Sequence, residues 1–387
     1  MNPRALRLLL VINHLSPSGG AEVQLAHLAR SLAELGHEVT ICCVHNSTID
    51  PTALESSGVE LISLQTSTRL GRIAAIPRLA RLARRADVVH CTMWDASLWG
   101  RVAAILARRP VIVADHATDR ASQVAAGGAP RATWISRHNR LLDRFTYATV
   151  ACSEAQRPVL RREGVAPGKI VHIPNGVPVE DLSRAAGHGL TREQLGLPGG
   201  APVAMQVAVF RAEKNQLGAL EAMARVRERV SEVELVFVGD GPTRPMVEAH
   251  VEELGAGGWT HFLGERDDVP ALLGLADLML LSSLADAMPM TVLEAMALGV
   301  PVVATDVGDV REVLGDAGIC VAVADNGAFA DAVVRLLEHD ELRARLGKSA
   351  KRRAKAFDSA TMAQRYSALF EAAATGREPS SSLALAA

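Results

Sequence analysis

In the stretch SLADAMPMTVLEAMALGVPVVATDVG, residues 283–308, two carboxylates, Asp286 and Glu294, are separated by seven residues. A carboxylate accepts hydrogen bonds from two neighbouring hydroxyls of a ribose or sugar ring. A short helical pattern begins near Met290 and breaks at Gly299, ahead of an apolar strand. Met288, Pro289, Met290 and Thr291 therefore surround a helix N-terminus, whose unpaired N–H groups suit a diphosphate. Glu294 falls one turn inside the helix and Asp286 in the loop before it, so the two acids can flank one extended ligand. By residue type alone, they read equally as a helix acid and a loop acid.

Other loops offer anion chemistry. In NHLSPSGGAEVQ, Gly19 and Gly20 lie between a strand end and a helix start, where the backbone approaches a ligand closely and helix amides attract anions. The pattern is neither a dinucleotide fingerprint nor a P-loop, and an ordinary turn explains it as well. In FRAEKN, Arg211 and Lys214 stand where a helix begins, as phosphate contacts or as solvated surface charges. FVGDGPTRP carries glycines that imply close backbone packing against a ligand or a neighbouring loop.

These loops need a scaffold, and 387 residues suffice for two domains. The runs RLLLVI, HEVTICCV, ELISL, DVVHC, PVIVAD, ATVACS and KIVHIPN alternate with helical patterns, as in βαβ units with a parallel sheet. The alternation restarts with PVAMQVAVF, VELVFVGDG, HFLG, LMLLSS, VPVVATD and ICVAV. The chain reads as two Rossmann-like α/β domains, residues 1–180 and 181–357. A helix over 358–374 crosses back to the first, and a disordered tail occupies 375–387. Ligands of open α/β sheets bind outside the strand C-termini, so the cleft between the domains is the expected active site. The first 185 residues carry a net charge of +7 and the rest −9. Five cysteines without C-x-x-C spacing read as reduced thiols in a cytoplasmic protein. No run is long enough to span a bilayer, and no aromatic and basic platform for nucleic acid is present.

The segment DAMPMTVLEAMALGVPVVATDVGDVREVL resembles the donor site of glycosyltransferase family 4, the retaining nucleotide-sugar transferases of GT-B fold. The resemblance extends to SPSGGAEVQLAHLARSLAELGHEV, VACSEAQRPVLRREGVAPGKIVHIPNGV, AEKN and VGDGP, in the family's order. It implies that Glu294 binds the nucleotide ribose and that Asp286 faces the sugar hydroxyls. Backbone amides around Pro289, Met290 and Thr291 would hold sugar and diphosphate, and Lys214, with Arg211, the departing charge. It further implies that His116 lies beside the donor sugar and that Gly264 and Arg266 belong to the loop meeting the base; the segment VVHCTMWDASLWG places His90 and Asp95 on the same cleft rim, on the acceptor side.

Two departures stand out. Asp286 occupies a position where the family has Glu, about 1.5 Å shorter in reach. Val209 replaces the family's Arg five residues before Lys214, leaving Arg211 as the substitute.

The resemblance implies sugar transfer from a nucleoside diphosphate-sugar to a hydroxyl of a small-molecule or lipid-linked acceptor. The resemblance implies retention as well; with no clear second carboxylate nucleophile, front-face attack is the expectation, and neither cofactor nor metal is expected, as no Asp-x-Asp motif is present. Closure about the NGVP segment would exclude water. RLGRIAAIPRLARLARR, with six arginines and no acid, is either a packed helix with a basic edge, interrupted by Pro77, or a peripheral contact with the inner membrane face. The alternatives are a degenerate, non-catalytic sugar-nucleotide binding protein and another GT-B enzyme such as a sugar-nucleotide epimerase.

Overall fold

The computed structural model describes residues 4–16, 19–49, 52–115, 140–187 and 189–379. The chain forms two compact units, Met1–Gly176 with Ser359–Ala387, and Val177–Asp358.

In the first unit the apolar runs become β1 (Arg7–Ile12), β2 (Glu38–Cys43), β3 (Val59–Ser63), β4 (Val88–Thr92), β5 (Val111–Asp115), β6 (Ala148–Ala151) and β7 (Ile170–His172). They form one parallel sheet in the order β3-β2-β1-β4-β5-β6-β7. Near-continuous apolar sequence is what a parallel sheet covered on both faces requires. Three helices matter below: α1 (Gly20–Glu34), α2 (Arg69–Arg85) and α3 (Trp94–Ala107).

The second unit repeats the plan with β8 (Val203–Val207), β9 (Glu234–Val238), β10 (Thr260–Phe262), β11 (Leu278–Leu281), β12 (Val302–Thr305) and β13 (Gly318–Val321). These strands, also parallel, run β10-β9-β8-β11-β12-β13. The helices that bear on the site are α4 (Gln216–Arg227) and α5 (Met290–Leu298). The glycine-rich stretch after residue 189 belongs to this unit. Arg192 pins it there, donating to the carbonyls of Ala201 and Leu275 and to Asp277.

The last helix, α6 (Ser359–Ala374), returns to the first unit. Its Tyr366, Leu369 and Phe370 are buried with Leu8, Leu10 and Leu32 in that unit's core. Residues 375–379 continue beyond α6 as turn and coil. Gly376 turns the chain in the left-handed region, and the Arg377 carbonyl accepts from the Tyr147 hydroxyl at 2.5 Å. Residues 380–387 lie outside the described residues.

Pro77 does not interrupt α2. The exposed face of this helix is apolar in its first half, with Leu70 (78% exposed), Ile73, Ala74 and Pro77. Its second half is basic, with Arg78, Arg81, Arg84 and Arg85. Among the described residues no helix is long and apolar enough to cross a membrane.

Candidate active site

Strand order reverses direction between β8 and β11, whose connections leave toward opposite ends of the sheet. Loops diverge at such a switch point and open a crevice beyond the strand C-termini. Lys214 follows β8 and Asp286 follows β11, and they meet there: Lys214 Nζ donates to Asp286 Oδ2 at 2.5 Å. Both side chains are largely buried.

The backbone behind Lys214 is fixed by residues that motif reading overlooked. Gln206, a buried polar residue inside β8, donates through Nε2 to the Lys214 carbonyl at 2.9 Å and to Ser282 Oγ at 3.1 Å. Ser282 Oγ lies 3.0 Å from the Lys214 carbonyl and 2.9 Å from that of Asn215. Asn215 sits in the left-handed region, caps α4 by accepting from Gly218 N, and donates to the Ser282 carbonyl. One hydroxyl and two amides thus tie the loop after β8 to the end of β11. The legible signal was a lone Gln in the apolar run VAMQV.

Asp286 is fixed from its own side. Its Oδ1 accepts from Ala287 N at 3.1 Å. A Cβ on Gly308 would lie 2.3 Å from the Asp286 carbonyl and 2.1 Å from that of Ala287, and Gly308 has φ +52. Only glycine fits this approach without displacing the loop.

Helix α5 starts after Pro289, no side chain caps its N-terminus, and Gly299 ends it in the left-handed conformation. Met288 and Met290 are buried and Thr291 is half-buried. The first-turn amides of such a helix attract anions, and of these Val292 N already donates to the Pro289 carbonyl at 3.2 Å. Glu294 is only 8% exposed, and burial pushes its carboxyl up to about 7. No hydrogen bond or ion pair engages the Glu294 carboxyl among the described residues.

Arg211 does not join the Lys214–Asp286 pair. Its side chain is 61% exposed and lies 4.0 Å from Glu213. The glycines of FVGDGP serve a neighbouring loop. A Cβ on Gly239 would meet the Ala208 carbonyl at 2.2 Å, and one on Gly241 the Phe210 carbonyl at 2.4 Å. Gly264, at φ +70, accepts through its carbonyl from Gly239 N at 2.7 Å. Arg266 is engaged by Asp268 through two hydrogen bonds of 2.8 and 2.5 Å, so its guanidinium stiffens its own loop.

In the first unit, Gly19 is the N-cap of α1 and Gly20 its first residue. The space beside Gly19 is already taken by a buried anion: a Cβ there would lie 2.1 Å from the Glu22 carboxylate, which pairs with His14 at 2.8 Å. His90 does not stand on a rim. It lies inside β4, 1% exposed, with its ring edge-on to Tyr366 (5.4 Å) and Phe370 (5.9 Å) and 3.1 Å from Thr92 Oγ1. A central strand covered on both faces buries every residue, so the polar type misled. Asp95 is the second residue of α3, and its side chain lies outside the described residues, as does all of His116.

Two parallel-sheet α/β units, each with loops gathered at a switch point, define a protein of the GT-B fold. Residues 18–181 match the family described as Glycosyltransferase Family 4, and residues 189–353 the one described as Glycosyl transferases group 1. The chain belongs to the family-4-like glycosyltransferases. It is 27% identical over 307 residues to EpsD of Bacillus subtilis (strain 168), covering 74% of this chain and 76% of that one. It is 26% identical over 372 residues to phosphatidyl-myo-inositol mannosyltransferase of Mycobacterium leprae (strain TN), covering 92% and 94%. Among solved structures, Anabaena HepE in complex with UDP and glucose superposes with a TM-score of 0.80 at 22% identity, covering 94% of this chain and 98% of that one.

Proposed function

We propose that this glycosyltransferase moves a sugar from a nucleoside diphosphate-sugar to an acceptor hydroxyl with retention at the anomeric carbon. The observation that carries the reading is the convergence, at the β8/β11 switch point, of Lys214 with Asp286, beside the uncapped start of α5 and its buried Glu294. Glu294 accepts from the ribose hydroxyls, the α5 amides hold the diphosphate, and Asp286 accepts from the sugar. As the glycosidic bond stretches, negative charge gathers on the diphosphate. Lys214 and the helix amides, fixed in place beforehand, stabilise it without reorganising. On this reading no divalent ion takes part and the acceptor oxygen attacks from the face the diphosphate leaves. A covalent sugar adduct trapped on Asp286 overturns that route. The acceptor is a hydroxylated small molecule or a lipid-linked one, a class to which the relative named for phosphatidyl-myo-inositol points. A lipid-linked acceptor also gives α2 its role, a peripheral contact with anionic lipid.

A second reading, binding without turnover, is favoured by Val209 and by the exposed, Glu213-facing Arg211, which leave Lys214 as the main cation. One experiment separates the two. UDP, GDP, ADP and their glucose and N-acetylglucosamine esters are titrated calorimetrically, and donor hydrolysis and transfer are followed in EDTA. Binding with turnover is expected, and Lys214→Ala should lower kcat about a hundredfold or more. Binding without turnover supports the second reading, and binding of none of these nucleotides sinks both.

A further inference from the structure

We infer that Asp286 discriminates the intact donor from the spent nucleoside diphosphate by competing with the diphosphate for Lys214. This rests on the donor-site reading above and adds a selectivity to it.

The geometry sets up the competition. Lys214 Nζ is already bonded to a carboxylate, and the backbone that carries each partner is fixed. The Lys214 backbone is held by Gln206 and Ser282, and Asn215 caps the helix behind it. Asp286 is held by the Ala287 amide and by the close seat of Gly308 under its carbonyl. A phosphate that reaches Nζ therefore arrives beside a fixed negative charge, in a partly desolvated place where like charges repel more strongly than in water.

What differs between donor and product is the partner each offers Asp286. An intact donor brings sugar hydroxyls, which donate to the carboxylate and replace the bond that Lys214 gives up. The product brings none, and its freed terminal phosphate has an additional ionisable oxygen. Asp286 then faces the phosphate charge with only a shared lysine between them. The carboxylate thus tolerates the donor and expels the product.

The test uses the full chain and the tightest-binding of UDP, GDP and ADP, with its matching sugar ester. Asp286→Asn is isosteric and keeps the acceptor for the Ala287 amide while removing the charge. It should bind the nucleoside diphosphate at least about fivefold tighter, bind the sugar nucleotide no tighter, and show stronger product inhibition in progress curves. Asp286→Ser serves as a second charge-free variant should the first fail to fold. Asp286→Glu, which keeps the charge, should retain wild-type discrimination. The gain must vanish when Lys214→Gln is combined with Asp286→Asn, since the lysine is what the two anions contest. Equal or weaker product binding by the charge-free variants overturns the inference while leaving the donor site standing. If the wild-type chain binds none of the three nucleotides, the donor-site reading falls and takes this inference with it.

Discussion

Glu294 sits one turn inside α5, where burial pushes its carboxyl up from the usual carboxylate range to about 7. The charged form is disfavoured in the fold, and that has two consequences. The first concerns stability. The unfolded chain releases this proton near 4.5 and the folded chain near 7, so this contribution is fully present below about 4.5 and is lost as pH rises to about 7. The second concerns binding. An ionised carboxylate accepts from both ribose hydroxyls, so affinity for the sugar nucleotide should rise between pH 6 and 8. The doubly esterified diphosphate does not titrate in that range. Calorimetric titration across this interval checks the slope, and Glu294→Gln should flatten it. An unchanged slope in that variant assigns the pH dependence elsewhere. The sequence displayed Glu294, Asp286 and Lys214 by type and spacing. It did not display that Lys214 and Asp286 touch, because that contact is made by strand order and not by proximity in the chain. His90 shows the converse: a chemically capable side chain, read from its type, is core packing once its strand is placed at the centre of a sheet.

At the scale of elements, each of the apolar runs that alternate with helical patterns became a strand, since burial on both faces leaves a continuous hydrophobic signature. What periodicity could not carry was the joinery between loops: the Ser282 and Gln206 hydrogen bonds, and the glycines at 239, 241 and 308 that let one loop lie against another. Helix α2 was legible as basic and amphipathic, and the structure adds how its two halves divide. Leu70, Ile73, Ala74 and Pro77 form an exposed apolar end, and Arg78, Arg81, Arg84 and Arg85 an exposed basic end. An apolar end that enters the lipid boundary and a cationic end that meets headgroups are the two components of interfacial binding. Each arginine near an anionic surface contributes about 1 kcal/mol. Changing Arg81, Arg84 and Arg85 together to Gln should therefore lower partitioning onto phosphatidylserine-containing liposomes by about two orders of magnitude or more. Neutral liposomes should bind the wild-type chain weakly in the same sedimentation assay. Equal sedimentation of variant and wild type on anionic vesicles would leave α2 as a packed helix with a solvated edge.

At the scale of the molecule, the C-terminal helix belongs to the unit built from the chain's beginning. α6 closes the face of the β1–β7 sheet beside α1, with Gln24 against Met362 and Ser31 against Ser359. His37 accepts from Leu6 N and, through its other ring nitrogen, bonds Ser367 at 2.8 Å. Tyr366 and Phe370 are fully buried there. The candidate donor residues Lys214, Asp286 and Glu294 all lie in the other unit. Truncating Phe370 to Ala removes a fully buried ring from the first unit alone and should cost it about 3–5 kcal/mol. Chemical unfolding should then become biphasic, with an early transition for the first unit and a later one at the wild-type midpoint for Val177–Asp358. Nucleoside diphosphate affinity, measured below the first transition, should stay near wild type, because no donor-site group is touched. A single transition shifted as a whole would show that the two units unfold as one body. In that case α6 would stabilise the whole molecule and not only the sheet it covers.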